Sequence, residues 1–350
     1  MKITIYLGTG GVGKTSLSAA TALAWARQGR RALVLTTDPA QRLRSALGLA
    51  AGTPEQPVLL DPPAAPGELW GAILDVKATL EDAVRLYGRP REVERILAHP
   101  IFATIAGSLP GMPELMAMER IDQFIRRGFT DIVVDTAPSR HALEFLDKPM
   151  LFSDLADSVW VKLIGRTYRF AAATPFGYLG KSSFEIYSKV ETMLGAELVT
   201  QILDFYSLFV SIAEGYAERA RQTVALLKDP AITRFRIVST PQKVVADSEY
   251  FVAQLETRGF PVGDICVNRL WMHEPPPPPS PPGAQPDLAA GLAAWYGAVK
   301  DSQQAQLETL TARMASRVPS ILRFPELDDD VEGLASLELI CRNGAHGLRW

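Results

Sequence analysis

The chain has little cysteine and no surplus of charge of either sign. Its 350 residues include two cysteines, Cys266 and Cys341, which excludes a disulfide scaffold, a CxxC pair and an all-cysteine metal site. Lys and Arg number 36 against 39 Asp and Glu, a net charge of -3, so no electrostatic signature of nucleic-acid binding is present. No apolar run reaches the length of a membrane-spanning helix. We therefore expect a globular cytoplasmic protein that neither binds nucleic acid nor inserts stably into a membrane.

Short apolar runs that alternate with helical segments predict the fold class. Continuous runs of this kind are typical of parallel strands that are covered on both faces. The candidate strands are Lys2 to Leu7, Ala32 to Thr36, Ala72 to Val76, Ile132 to Val134, Phe235 to Val238, Ile265 to Val267 and Ile321 to Phe324. We expect an α/β fold with a doubly wound, mostly parallel sheet, in which ligands bind at the carboxyl ends of the strands.

The stretch from Leu151 to Leu227 interrupts this alternation. It lacks strand patterning and is dense in aromatic residues, which predicts an all-helical subdomain inserted into the sheet domain. Residues 1–150 then form the first part of the sheet domain and residues 228–350 the second. Aromatics at helical spacing favour a helical core.

Two proline-rich segments are expected to lie outside this pattern. The segment from Pro54 to Gly67 is predicted to be a surface loop. The segment from Pro275 to Pro286 is expected to be extended in a polyproline-type conformation, because prolines lack backbone donors. It is interpreted as a passive spacer, and docking to an SH3-like partner is the alternative.

One glycine-rich motif carries a specific chemical signal. Residues Gly8 to Thr15 match G-x-x-x-x-G-K-[ST], with a predicted strand before them and a predicted helix from Lys14 to Gln28 after them, as in a phosphate-binding P-loop. Backbone N–H groups and the helix N-terminus favour phosphate oxygens there. The residues expected to bind the nucleotide are Gly8, Thr9, Gly10, Gly11, Val12, Gly13, Lys14, Thr15 and Ser16. A glycine turn that only permits close packing is the alternative.

Side chains of this loop and two strand-end acids predict chemistry on ATP with Mg²⁺. Lys14 is expected to reach the β- and γ-phosphates, Thr15 to ligate Mg²⁺ and Ser16 to meet the α-phosphate. Asp135 ends the run DIVVD, where a carboxylate can hold the metal's water shell. Asp38, in TTDPAQ, is placed to orient or deprotonate the attacking water. Capping the turn or helix that follows is the alternative role of each acid.

Further motifs extend the signal along the chain. The ArsA/GET3-type ATPases carry motifs that resemble GTGGVGKTS, TTDPAQRL, LPGMPELMAM, DTAPSRHALEFL, VNRL and FPELDDDVEG of this chain. These ATPases are the anion-transporting or tail-anchored-protein-targeting branch of the deviant Walker-A, MinD-like P-loop class. The resemblance covers most of residues 1 to 270 and about 318 to 340. It implies a Mg²⁺-dependent ATPase that works as a homodimer and couples its nucleotide state to the helical subdomain, with a hydrophobic or membrane-protein client as partner.

The same resemblance implies roles for individual residues. Asp38 would lie in switch I and orient the water, and Asp135 to His141 would form switch II. The segment Leu109 to Glu114 would couple nucleotide state to the helical subdomain. Asn268 would read adenine, and Pro325 to Val331 would flank the base.

The chain also departs from the family pattern. Thr9 stands where members usually carry a lysine that reaches the partner's phosphates. No CxxC lies near the proline run, so a zinc-held dimer is not expected, and two separated cysteines cannot form an arsenite-binding cluster. A nucleotide-gated binding scaffold with little hydrolysis is therefore one alternative to the ATPase. A ParA/MinD-like positioning ATPase is another, although no terminal amphipathic membrane helix is evident.

A catalytic role for Arg140 is predicted from the missing loop lysine. Arg140 stands where the family commonly has glycine, and an arginine finger accelerates phosphoryl transfer by about 10³-fold or more. We expect Arg140→Ala to lower steady-state ATP turnover by a factor of that order. Turnover equal to that of the unmodified chain would show instead that Arg140 is a surface residue without phosphate contact.

Overall fold

A computed structural model describes residues 1–38, 42–50, 52–60, 67–108, 112–137, 201, 204–205, 208, 212, 218–272 and 286–343. The chain divides into two units. Unit 1 comprises Met1–Ile73, Phe124–Leu143 and Leu226–Trp350, and unit 2 comprises Leu74–Gln123 and Glu144–Ala225. The sheet and the glycine-rich loop both belong to unit 1.

In its described residues, unit 1 holds a sheet of eight strands. They are β1 (Lys2–Leu7), β2 (Arg31–Thr36), β3 (Glu55–Val58), β4 (Glu68–Ile73), β5 (Asp131–Asp135), β6 (Thr233–Ser239), β7 (Val262–Leu270) and β8 (Ile321–Pro325). Their order is β3-β4-β2-β5-β1-β6-β7-β8. Neighbouring strands are parallel except for the antiparallel pair β3 and β4. The predicted α/β fold with a mostly parallel sheet is confirmed.

Helices connect most of the strands. In the described ranges they are α1 (Lys14–Arg27), α2 (Arg42–Leu47), α3 (Val76–Tyr87), α4 (Pro90–Leu97), α5 (Pro100–Ser108), α6 (Met112–Arg126), α7 (Val244–Arg258), α8 (Pro286–Met314) and α9 (Gly333–Asn343). Residues 218–228 are also helical. None of the helices in these ranges combines the length with the apolar composition that a membrane crossing requires.

The alanine-rich sequence of α1 explains how this helix is held. Ala19, Ala20, Ala22 and Ala26 are fully buried, together with Trp25. Their small side chains let α1 lie close to β2 and β5 on one side and to α9 on another. Close packing of this kind leaves little freedom of movement, so the glycine-rich loop is followed by a firmly held helix.

The carboxyl ends of the central strands meet at one edge of the sheet. Tyr6 of β1 and Thr36 of β2 both pair with Asp135 of β5. On the other side of β1, Leu7 pairs with Ile237 of β6. Parallel strands that end together in this way form the edge at which ligands of open α/β sheets bind.

Two predictions about local structure were wrong. The strand predicted for Ala72 to Val76 ends earlier, because β4 runs over Glu68–Ile73 and Val76 begins α3. Asp75 caps that helix by accepting a 2.9 Å hydrogen bond from the backbone N–H of Ala78. The predicted loop from Pro54 to Gly67 contains β3, a strand at the edge of the sheet, where a proline such as Pro57 is tolerated.

Unit 2 is helical in its described residues. Its apolar core comprises Leu80, Val84, Ile96, Phe102, Met112, Leu115, Met116, Phe205, Leu208 and Ile212 among others. Unit 2 takes in Leu74–Gln123, which the sequence counts with the sheet domain. Most of the expected helical insertion at residues 151–227 lies outside the described residues, so its boundaries stay a prediction. The segments Leu109 to Gly111 and His273 to Gln285 also lie outside them.

A buried ion pair joins β6 and β7. The guanidinium of Arg236 contacts the Asp264 carboxylate at 3.0 Å, and their side chains are 1% and 6% exposed. Arg236 also donates to the hydroxyl of Tyr6 at 3.2 Å, and the Ser320 hydroxyl donates to Asp264 at 2.7 Å. A buried pair that is supported by such bonds tolerates the loss of one partner poorly, because the remaining charge is left in the interior.

Substitution of one partner tests how much this pair matters. We expect Asp264→Ala to lower the free energy of unfolding by about 3–5 kcal/mol, as measured by urea unfolding followed through tryptophan fluorescence. Glu249→Ala is the matched control, because Glu249 pairs with Arg313 at the exposed surface, where such pairs contribute about 0–1 kcal/mol. Equal losses for the two variants would contradict the expectation.

Candidate functional site

Glycines at the two ends of the loop between β1 and α1 allow close approach of other groups. A Cβ atom at Gly8 would lie 2.3 Å from the backbone oxygen of Val238 on β6. Gly13 has a φ of 93°, and a Cβ there would lie 2.2 Å from the amide nitrogen of Asn268. Side chains cannot be accommodated at such distances without movement of their neighbours. The glycines therefore do permit close packing, as the alternative interpretation of the motif expects. Close packing alone does not explain the polar groups around the loop.

Lys14 is anchored on the loop that precedes it. Its Nζ donates hydrogen bonds to the backbone oxygens of Gly8 at 2.9 Å and Thr9 at 3.0 Å. Burial lowers the pKa of Lys14, the carboxylates of Asp135 and Asp38 raise it, and the positive charge of Arg42 lowers it. The side chain is 6% exposed. Lys14 thus lies across the concave side of the loop and lines a cavity of about 400 Å³.

Asp135 is the buried acid of the site. One carboxylate oxygen, Oδ2, accepts hydrogen bonds from the hydroxyls of Thr15 at 2.7 Å and Thr36 at 3.0 Å. The other, Oδ1, is buried and has no hydrogen-bond partner. Burial raises the pKa of Asp135 from 3.8 to about 6, against the hydrogen bonds from Thr15 and Thr36 and the charge of Lys14, which lower it. An unpartnered buried carboxylate oxygen is costly and marks a position where a cation or a water is expected.

These residues fit a magnesium ion. Mg²⁺ prefers oxygen ligands, and it is usually held by one or two protein oxygens together with waters and substrate phosphates. The Thr15 hydroxyl and the unpartnered Asp135 oxygen are oxygen donors of this kind. The expected metal residues, Thr15 and Asp135, are therefore brought together.

Asp38 lies at the end of β2, beside the loop. Its backbone N–H donates to the Thr36 hydroxyl at 3.1 Å, and its side chain lines the 400 Å³ cavity together with Lys14, Thr15 and Ser16. The geometry brings Asp38 and the loop residues to one cavity, and Asp135, which does not line it, accepts a hydrogen bond from Thr15, which does. It is the arrangement that a γ-phosphate, a metal and a water would need.

A second cavity of about 500 Å³ adjoins the first, since both are lined by Gly13, Ser16 and Arg269. Asn268 and Pro325, the residues expected to contact the base, line this second cavity. Asn268 donates from its amide nitrogen to the backbone oxygen of Val12 at 2.9 Å. Phosphate-side and base-side candidates therefore occupy neighbouring spaces within unit 1, each within the size range of small-molecule pockets.

Thr9 takes part in a different contact. Its hydroxyl donates to the Asp247 carboxylate on α7 at 3.3 Å, and the Ser239 hydroxyl donates to the same oxygen at 2.7 Å. Asp247 is 2% exposed. Of the loop residues, Gly11 to Ser16 line the 400 Å³ cavity, which we call the phosphate-side cavity. Gly8, Thr9 and Gly10 do not line it. Arg140 lies outside the described residues.

Sequence reasoning missed several residues at the site. Arg42 and Arg269 line the phosphate-side cavity, with Thr136 and Ser45. Arg269 was adjacent to Asn268 in VNRL and has a φ of 62°, unusual for a residue other than glycine. Arg42 belongs to the motif TTDPAQRL. It was missed because arginines are mostly exposed, and the motif alone does not indicate that this side chain lies at a cavity.

The fold and the loop together define a P-loop nucleotide-binding protein. A glycine-rich loop joins a central parallel strand to a buried helix, Asp135 ends β5, and Asp38 follows the end of the neighbouring strand β2. The sequence model of the ArsA ATPase family, described as anion-transporting ATPase, matches residues 1–278. The chain belongs to that family.

Individual relatives are similar over much of the chain. A putative arsenical pump-driving ATPase of Chlorobaculum tepidum is 27% identical over 272 residues, which cover 77% of this chain and 61% of the relative. ATPase GET3B of Arabidopsis thaliana is 28% identical over 280 residues, 75% of this chain and 62% of the relative. Putative arsenical pump-driving ATPase 1 of Aquifex aeolicus is 24% identical over 98% of this chain and 78% of the relative. The chain spans about three fifths of the length of the first two relatives.

The raised pKa of Asp135 predicts a pH dependence of stability. Because the folded state holds this proton up to about pH 6 whereas the ordinary value is 3.8, folding binds a proton between these values and stability falls as the pH rises through them. A shift of about two units corresponds to roughly 3 kcal/mol.

Asp135→Asn removes this titration. We expect the variant to gain stability relative to the unmodified chain as the pH rises from about 4 to about 6, with no further change above pH 7. Thermal unfolding without nucleotide or metal, at a series of pH values, measures the difference. Parallel pH curves for the two proteins would show that burial does not raise this pKa.

Proposed function

We propose that the chain is a Mg²⁺-dependent ATPase. The observation that carries the proposal is the cavity in which Lys14, Thr15 and Asp38 meet beside a buried carboxylate oxygen of Asp135 without a partner. Such a set can hold a triphosphate, a metal and a water at once. The relatives support the proposal, because they are named arsenical pump-driving ATPase and GET3 ATPase.

The loop and α1 hold the phosphates. Backbone N–H groups of the loop and the N-terminus of α1 favour negative charge. Lys14 now bonds the oxygens of Gly8 and Thr9, and these are the bonds it exchanges for β- and γ-phosphate oxygens. Thr15 and Asp135 would hold the metal, which would supply neutralising charge to the phosphates.

Asp38 positions the attacking water. The water oxygen bonds to the γ-phosphorus, and the bond from that phosphorus to the bridging oxygen breaks, so that its electron pair leaves with ADP. Asp38 accepts the water proton, which passes to the inorganic phosphate that forms. Positioning and charge stabilisation account for most of the acceleration in this reaction class.

Assembly as a homodimer and coupling to the helical unit are part of the proposal. The proposal of coupling is supported by chain connectivity, because Asp135 ends β5 and unit 2 resumes at Glu144, a short distance along the sequence. Loops that contact the γ-phosphate are ordered by it and released on hydrolysis. The proposed site of action is the cytoplasm.

A hydrophobic or membrane-protein client suits this chain better than a metalloid. The two cysteines, Cys266 and Cys341, lie in different elements, and burial raises the pKa of each thiol to about 12. Thiolate is the form that binds soft ions. Cys341 also donates its thiol hydrogen to the Ala20 oxygen at 3.2 Å.

A nucleotide-gated scaffold with little hydrolysis is the second candidate. It is favoured by Thr9, an uncharged residue whose hydroxyl is bonded to Asp247, because the second loop position therefore offers no cation to the phosphates. Such a protein would bind ATP with Mg²⁺ and release it unchanged. A single-turnover experiment with excess protein separates the two candidates.

Two substitutions test the ATPase proposal. We expect Lys14→Ala to lower turnover by about 10²-fold or more, because a donor to the transition state is lost. Asp38→Asn should lower turnover by about 10²- to 10⁴-fold with little change in ATP affinity, because only the positioning of water is affected.

Phosphate release and calorimetric ATP titration measure the two effects. Lys77→Ala is the control, since Lys77 is exposed on α3 and pairs with Glu81. ATP binding without turnover in the unmodified chain would favour the scaffold, and full turnover by Asp38→Asn would remove Asp38 from the mechanism.

A further inference from the structure

The phosphate-side cavity has one loop cation where phosphoryl transfer calls for more. Charge develops on the γ-phosphate oxygens in the transition state, and P-loop enzymes commonly add an arginine to the loop lysine. Here the second loop position is Thr9, whose hydroxyl is bonded to the buried Asp247. A compensating cation has to come from another element.

Arg42 is at the right place. It is the first residue of α2, and it lines the same 400 Å³ cavity as Lys14 and Asp38. The residue is exposed, and within the described part of the chain its guanidinium makes no hydrogen bond or ion pair. Arg42 and Lys14 therefore place two positively charged side chains at one cavity. Two cations that repel each other across a cavity are stabilised by an anion between them.

Two other arginines near this cavity, among the residues that the structure describes, contact other groups. Arg44, on the same helix, donates to the backbone oxygen of Ala50 at 3.3 Å and does not line the cavity. Arg269 lies where the two cavities adjoin and contacts the carboxylate of Glu326 at 3.9 Å.

Carboxylates are also present at the cavity wall. Asp330 and Glu332 line the cavity as well, and no ion pair joins either of them to Arg42 among the described residues. The guanidinium therefore remains available to a ligand.

We propose that Arg42 binds the terminal phosphate of the nucleotide and adds a second positive charge to that of Lys14 at this cavity. The inference rests on the proposed ATPase function, because it names a further residue of that site. A guanidinium suits the task, since its paired N–H donors match two phosphate oxygens. The ligand chemistry is a chain of at least two linked phosphates with the outermost one at Arg42.

Arg42→Ala, Arg42→Lys and Arg44→Ala form the test set. Calorimetry on the full chain with Mg²⁺ measures affinities for ATP, AMP and inorganic tripolyphosphate. We expect Arg42→Ala to weaken the binding of ATP and tripolyphosphate by roughly 10- to 150-fold, the range that the loss of hydrogen bonds to a charged group gives. The affinity for AMP should be unchanged. Arg42→Lys should lie between, because it keeps the charge and loses the paired donors. Arg44→Ala, with matched charge loss on the same helix, should bind as the unmodified chain does.

Rescue of ATP turnover by guanidinium ion distinguishes a phosphate contact of Arg42 from a purely structural role. We expect kcat of Arg42→Ala to fall with the affinity, and low concentrations of guanidinium ion to restore part of it. The same addition should not restore Lys14→Ala. Melting temperatures of the variants confirm that they are folded, and Arg42→Lys provides the comparison if Arg42→Ala is not.

The outcomes separate this inference from the ATPase proposal. Unchanged ATP and tripolyphosphate affinities in Arg42→Ala, beside a chain that binds and hydrolyses ATP, would overturn the role of Arg42 alone. Equal weakening of ATP and AMP would overturn it too, because it indicates a general disturbance of the site. A chain that binds tripolyphosphate through Arg42 without hydrolysing ATP would overturn the ATPase proposal and keep the phosphate contact. A chain that binds neither ligand would overturn both.

Discussion

One buried carboxylate joins the parts of the site. Asp135 ends β5 between β1 and β2, and it accepts hydrogen bonds from Thr15 of α1 and Thr36 of β2. The two hydroxyls both donate to one carboxylate oxygen, and the other carboxylate oxygen has no hydrogen-bond partner. An unsatisfied buried acid is unfavourable, so a cation bound at this oxygen would lower the free energy of the site. These hydrogen bonds link the first turn of α1 and the end of β2 to the end of β5.

The distribution of charge distinguishes this chain from the pattern it resembles. At the second position of the loop, the Thr9 hydroxyl donates to Asp247 of α7, and Thr9 does not line the phosphate-side cavity. Positive charge comes from Lys14 of the loop and from arginines on α2 and at the end of β7. A phosphate site assembled from several elements responds to their movement, which suits a protein whose nucleotide state is proposed to be passed to a helical unit.

Most of the sheet could be predicted from the sequence, and the errors have physical causes. Apolar strands buried on both faces leave a strong local signal, as in DIVVD of β5. The β4 strand was misplaced because the apolar run continues past Ile73 into the start of α3, where Asp75 caps the helix. The β3 strand was missed because Pro57 is acceptable only at a sheet edge, and edge position is not visible in a local pattern.

The sequence by itself determined the glycine-rich loop, the order of strands and helices around it, and the two acids at strand ends, because each depends on residues close together in the chain. Only the tertiary structure decided that Thr9 bonds Asp247, that Asn268 meets Gly13 and that Arg42 shares a cavity with Lys14. These contacts join residues far apart in sequence. They follow from the strand order β2-β5-β1-β6-β7, which brings distant loops to one edge of the sheet.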